Sequence, residues 1–326
     1  MSLICLWLAL RSVPFAELGQ ALSQANYLWL IPCLLLTLIL NLIRAEIWRL
    51  LLTKRVSRAE AFWAYSIGFL FNNVFPFRVG EATRVIALAM HSRLAVVEVA
   101  ATAGLERLLD VIAVVMILLG VLPFMTVPVE IKQAALLFGS ASVVALIVIF
   151  TLAKAGQRGE ALLLWALSPL PPPYIELILA RWRELVKGLI VLTQPAIGIP
   201  AFAGSILVWA CTIAMQWSVL RAFQPLAGPV EAAFMIAAIS LAIAMPAAPG
   251  FVGVYQWVGQ QALMAPFPNL YTASSALGIA IVAHLTSYLF STGLGLIGMW
   301  YFGQSFGGLG QVLNKPSQSP EALSEI

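Results

Sequence analysis

The chain has 326 residues, of which 61% are hydrophobic and 10% charged, with a formal net charge of +4. Soluble domains carry roughly a quarter charged residues, so a mean hydropathy of +0.95 excludes a water-solvated globule and points to a polytopic membrane protein. A span takes roughly 20 apolar residues, so the length allows about six to eight crossings in one all-α transmembrane bundle, residues 1–303, and no large soluble domain.

In chain order, Met1–Leu10 is apolar but too short to cross alone, and Arg11 follows it at once. It reads as a shortened first helix; the missing basic n-region and small-residue cleavage site argue against a signal peptide. Full spans are predicted near 27–52, 96–122, 130–153, 198–222 and 271–302. Residues 59–90 and 230–266 are also apolar but are broken at their centres. Tyr174–Leu192, which follows the proline run Pro169–Pro173 and carries Arg181, Arg183, Glu184 and Lys187, reads as a helix lying at the membrane surface. Lys54, Arg55, Arg58, Arg93, Lys154, Arg158, Arg181, Arg183, Lys187 and Lys315 fall on one face in a single topology. By the positive-inside rule that face is cytoplasmic. The expectation is a multi-pass protein of the cell (inner) membrane, with a disordered cytoplasmic tail at 304–326.

The broken segments carry most of the information. In the first, Asn72-Asn73-Val74-Phe75-Pro76-Phe77-Arg78-Val79-Gly80-Glu81-Ala82-Thr83-Arg84 interrupts apolar sequence, and basic residues flank both ends. A full crossing would put one basic cluster outside, so the segment is predicted to be a re-entrant hairpin entering from the cytoplasm. The second break, Met245 to Gln256, is predicted to be a hairpin entering from the opposite face. Pro76-x-x-Val79-Gly80 in one matches Pro249-x-x-Val252-Gly253 in the other, the sign of an inverted repeat. Pro76, Gly80, Pro249, Gly250 and Gly253 are the expected hinges. Irregular backbone at membrane depth must be surrounded by protein or line a wet cavity.

The span from Val96 contains Glu106-Arg107-Leu108-Leu109-Asp110. Glu106 and Asp110 share a helix face, and Arg107 can reach Asp110 three residues on. With Arg78, Glu81 and Arg84 they form either a buried ion-pair network that pins the hairpin or an anion site in which guanidinium forks hold phosphate, and the two are compatible. Asn73 and Gln256 are further candidate substrate contacts, whereas Arg44, Glu46, Trp48 and Arg49 read as interfacial, snorkelling anchors, with substrate contact as the alternative. His284 reads as an interhelical hydrogen-bonding residue. Cys5, Cys33 and Cys211 are scattered and His91 lies far from His284. No metal site, cofactor, catalytic residue or nucleic-acid partner is expected.

Arg44-Ala45-Glu46-Ile47-Trp48-Arg49, the block Asn73 to Arg84, Glu106-Arg107-Leu108-Leu109-Asp110 and Pro249-Gly250-Phe251-Val252-Gly253-Val254 together resemble the lysylphosphatidylglycerol synthase transmembrane-region family, flippase-like membrane proteins. The resemblance spans about Ala25 to Phe302. It implies a helical fold with re-entrant helices that moves a phospholipid, polyprenyl-phosphate lipid or lipid-linked sugar between leaflets. It also implies a lipid-modifying or glycosyltransferase partner. Two-domain members carry a soluble aminoacyl-transferase domain, which is not expected here, so lipid aminoacylation is not carried over. Gln256 stands where many members have Glu, which argues against proton coupling at that position. The alternatives to a translocase are a membrane-embedded lipid-phosphate transferase using Glu106 and Asp110, or a non-catalytic scaffold.

Overall fold

The computed structural model describes residues 2–11, 13–125, 154–244 and 248–303, with scattered positions between 133 and 152. Among them every regular element is helical. In chain order they are α1 (Ser2–Leu10), α2 (Phe15–Gln24), α3 (Leu30–Leu51), α4 (Arg58–Val74), α5 (Gly80–Ser92), α6 (Val96–Val121), α7 (Gln157–Leu167), α8 (Pro172–Thr193), α9 (Pro195–Phe223), α10 (Pro229–Ile243), α11 (Val254–Met264) and α12 (Ala273–Tyr301). Among the described residues four stretches are long and apolar enough to cross a bilayer: Tyr27–Leu51, Val96–Phe124, Pro195–Phe223 and Ala273–Tyr301. They match four of the five predicted spans. Much of the fifth, 130–153, and all of the tail 304–326 lie outside the described residues. The apolar N-terminal stretch forms α1, which meets α2 at 87° and packs against α11.

The faces of α3 show which solvent the bundle is built for. Ile31, Leu35, Ile39 and Leu42 are exposed, whereas Thr37, Asn41, Ala45 and Trp48 are buried. Large apolar side chains face outward and polar ones inward, the reverse of a water-soluble helix and the arrangement a hydrocarbon solvent selects.

Both broken segments fold as helical hairpins. At a rise of 1.5 Å per residue, α4 and α5 are about 26 and 20 Å long, and α10 and α11 about 23 and 17 Å. All are shorter than a hydrocarbon core of roughly 30 Å. The first hairpin starts and ends at one end of the bundle, where His91 lies 3.6 Å from Glu60 and Arg55 pairs with Glu98 at the start of α6. Phe302, just past α12, stacks on His91 at the same end, with ring centroids 4.4 Å apart. Asn26 N–H donates to the Ala222 carbonyl at 2.8 Å, so the end of α9 lies beside the start of α3. The second hairpin leaves from that opposite end and returns to it: Gln224 Nε2 donates to the Leu270 carbonyl at 3.0 Å.

α3 lies on α9, α4 on α12 and α10 on α6.

The two tips share a pair of left-handed residues after a proline. Phe75, before Pro76, is extended at φ −111 and ψ 150, which ends α4, as proline's clash with the preceding residue demands. Phe77 and Arg78 then adopt left-handed conformations at φ 62 and φ 56. In the second tip, Gly250 and Phe251 follow Pro249 with φ 60 and φ 59. Proline, two left-handed residues, valine and glycine therefore build both tips. Gly253 has φ 90 and lies against Ser2 of α1, so glycine is required there on two grounds.

Gly80 is glycine for space. Its amide donates to Asn72 Oδ1 at 2.9 Å, capping the start of α5, and an added Cβ would fall 2.6 Å from that oxygen and closer still to the Gly68 carbonyl. Gly80→Ala should therefore prise the hairpin arms apart and cost about 1–3 kcal/mol. Chemical unfolding in detergent will measure it, with Gly104→Ala, whose added Cβ meets nothing within 4 Å, as the neutral control.

Candidate functional site

The charged residues gather where α3, α4, α5 and α6 meet. Each of these helices presents its polar group on the same face as small or aromatic buried residues: Tyr65 precedes Gly68 on α4, and Arg84 of α5 lies over Gly68, 3.0 Å from where a Cβ would be. At the centre is Glu106, with 3% of its side chain exposed. Its Oε2 accepts from Arg84 Nη1 at 2.9 Å, and its Oε1 from Arg44 Nη1 at 3.3 Å and from the Tyr65 hydroxyl. The same hydroxyl accepts from Arg107 Nη2 at 3.1 Å, so its donor and acceptor capacities are both used. Arg84, 2% exposed, lies over the rings of Trp48 and Tyr65 at 4.7 and 4.4 Å. Trp48 in turn donates to Thr102 Oγ1 at 3.0 Å.

One helical turn along α6, Asp110 accepts from Arg44 at 3.0 Å, from Arg107 at 3.0 Å and from Trp209 Nε1 of α9 at 3.1 Å. Glu81 is the carboxylate nearest the surface. It takes Arg84 at 3.0 Å, Arg107 at 3.4 Å and Arg78 at 3.8 Å. Exposure rises from the centre outward: Arg78, Glu81 and Arg107 keep 29%, 30% and 36% of their side chains open. An open-sided groove of about 410 Å³ between α5 and α6 reaches this edge, with Glu81 and Arg107 in its lining.

The family model described as the Lysylphosphatidylglycerol synthase TM region matches residues 1–295. The chain belongs to this family. It is accordingly a multi-pass membrane protein with a membrane-lipid-related function. No curated protein matches it.

Within this family member, six of the eight residues expected to contact substrate lie in or beside one cluster: Arg78, Glu81, Arg84, Glu106, Arg107 and Asp110. The other two lie elsewhere. Asn73 donates through Nδ2 to Ser291 Oγ at 3.1 Å and Thr292 Oγ1 at 2.9 Å, tying the first tip to α12. Gln256 accepts the Gly253 amide at 2.7 Å, capping α11, and its Nε2 lies 2.8 Å from His284 Nδ1. His284 stacks on Tyr255 with centroids 4.4 Å apart, so it is the interhelical hydrogen-bonding residue expected. The tips themselves touch: Arg78 Nη1 lies 3.5 Å from the Ile243 carbonyl of α10, and a Cβ added at Gly250 would fall 3.2 Å from the Asn73 carbonyl, which also accepts from the Tyr288 hydroxyl of α12 at 3.3 Å.

Arg44 and Trp48 differ from the anchoring role expected of them. Trp48 is buried and Arg44, 12% exposed, is held within the cluster, because the face of α3 that carries them turns toward α6 rather than toward headgroups. Glu46 and Arg49 do pair near the helix end, at 2.8 Å, with Arg58 3.0 Å from Glu46. Tyr65 and Trp209 were not singled out as site residues. For Tyr65 the available sign is helical spacing, since Ala61, Tyr65, Gly68 and Asn72 form one stripe, as Asn41, Arg44, Ala45 and Trp48 do on α3; Trp209 carries no such sign.

Burial sets the energetic order of the cluster. Glu106→Ala strands Arg84 without its main partner at 2% exposure and should cost about 3–5 kcal/mol. Arg78→Ala, at the open edge, should cost no more than about 1 kcal/mol. Unfolding of the two variants side by side in detergent will check the contrast.

Proposed function

We propose that the protein is a translocase that moves a phosphate-bearing lipid between the leaflets of the cell membrane. The observation that supports this reading is the open edge of an otherwise enclosed ion-pair cluster. Each charge held at the bilayer centre costs roughly 2.5–3.5 kcal/mol on insertion scales. A network serving only to hold helices together gains nothing by leaving two arginines and a carboxylate reachable. Guanidinium forks at Arg78 and Arg107 match phosphate oxygens, and a low-dielectric setting strengthens such contacts.

The remaining residues have supporting roles. Glu106 and Asp110 fix the guanidinium groups in place, and Arg84 stiffens the centre from between its two aromatic rings. The hairpins are re-entrant, and they leave from opposite ends of the bundle as halves of an inverted repeat. Rocking of one half against the other about the contacts between their tips would open the site alternately to each leaflet. Lys54, Arg55, Arg58 and Arg93 cluster at the end where the first hairpin starts and returns, which makes that end cytoplasmic. The stacking of Phe302 on His91 puts the exit of α12 on the same side. The surface-lying role of α8 rests on its proline start and mixed sequence.

Reconstitution into vesicles with a fluorescent phospholipid tests the reading. Leaflet exchange should depend on the protein and fall about tenfold or more in Arg107→Ala and in Arg78→Ala, the loss of at least about 1.4 kcal/mol of phosphate binding. Exchange that proceeds unchanged in both folded variants would reject the site.

A further inference from the structure

The second tip is fastened to α12 by hydrogen bonds that fix where each proton lies. The Gly253 amide can only donate, so the Gln256 atom that takes it at 2.7 Å is the oxygen Oε1, and the Nε2 amide is turned toward His284. Nε2 also can only donate. The atom it meets at 2.8 Å, His284 Nδ1, must therefore accept, and an imidazole nitrogen accepts only when it carries no proton. The ring is neutral, with its one proton on Nε2. The Gly250 backbone, which also hydrogen-bonds the ring, offers a carbonyl to receive that proton.

Burial leaves the ring few other partners. His284 is 9% exposed; Tyr255 of α11 stacks on it with an interplanar angle of 7°, and Tyr288, one turn along α12, stands edge-on at 6.0 Å. These two phenols are the titratable groups that face it, with the Cys33 thiol of α3 beyond Tyr255. The Tyr255 hydroxyl is directed to Gln216 of α9 and the Tyr288 hydroxyl to the Asn73 carbonyl. Among the described residues no charged side chain contacts the ring. A proton arriving at Nδ1 would make that atom a donor facing a donor. Turning the Gln256 amide over would satisfy the ring but set its NH₂ group against the Gly253 amide. Either way a buried donor loses its acceptor.

The turn held by these bonds is a strained one: Gly250 and Phe251 are left-handed and Gly253 has φ 90. Such backbone persists only where its surroundings over-determine it. We propose that His284 is an acid-release latch, which as the neutral Nε2–H tautomer ties the second tip to α12 and on protonation at Nδ1 lets that tip go. Gln256 sets the sign of the response. A carboxylate in its place would give a protonated ring a partner, so acid would tighten the same contact. The latch stands apart from the translocase reading and is tested without it.

The chain has two histidines, so nitrogen-labelled histidine in a His91→Gln background reports His284 alone. In nanodiscs at neutral pH, magnetic resonance should show a neutral ring protonated at Nε2, and acid should add the second proton at Nδ1. Spin labels at Val252→Cys and Leu289→Cys, both exposed, follow the distance from tip to α12; the native cysteines are buried. That distance should lengthen and broaden over the pH range in which the ring takes its proton. Gln256→Glu should reverse the shift, and His284→Asn should abolish it. A ring protonated at Nδ1 at neutral pH would overturn the latch, as would a ring that takes no proton before the helices unfold by circular dichroism. A tip that stays in place while the ring charges, or that opens equally in Gln256→Glu, would overturn it too.

Discussion

The carboxylate of Glu106 is the point on which this half of the bundle is hung. Its two oxygens receive Arg84 from α5, Arg44 from α3 and Tyr65 from α4, so one side chain on α6 fastens three other helices. In a hydrocarbon solvent apolar packing does little to favour one helix neighbour over another, since lipid tails are as apolar as leucine. Polar contacts then carry register and orientation. The hairpin formed by α4 and α5 is short for a bilayer, and the ion pairs explain why it is held inside the bundle.

The same chemistry governs where the chain departs from regular helix. In each tip a proline is followed by two left-handed residues that turn the chain, and Pro76 also ends α4. The glycines at Gly80 and Gly253 then let other backbone come close. Left-handed conformations at Phe77, Arg78 and Phe251 are costly for side-chain-bearing residues, of order 1–3 kcal/mol each. They persist because Asn72, Asn73 and Tyr288 hold the surrounding backbone by hydrogen bonds.

The sequence made much of this legible. A break flanked on both sides by basic residues implies a segment that returns to its own end, and His91, near the end of α5, lies 3.6 Å from Glu60, near the start of α4. Spacing in α6 paired Arg107 with Asp110, and the structure has them 3.0 Å apart. What spacing could not resolve was direction at the tips and at helix ends. Asn72 and Asn73 are adjacent, yet one caps α5 and the other binds α12, because neighbouring helical residues point about 100° apart. Arg44 sits seven residues before the end of α3, where an inward-facing arginine and a snorkelling one have the same sequence context. Gln256 is polar beside a glycine turn, and polarity alone does not distinguish a cap from a ligand contact.

The shared shape of the two tips also brings out how little else they share. Counting from the matched Pro76 and Pro249, Arg78 corresponds to Phe251, Glu81 to Val254 and Arg84 to Trp257. At these three matched positions the first tip carries charged side chains and the second apolar ones. A lipid crossing such a protein would meet a sticky face on one approach and a slippery one on the other. Passive exchange would still reach the same balance between leaflets, but the two journeys would pass through different bottlenecks, giving mutations in either half their own kinetic signature.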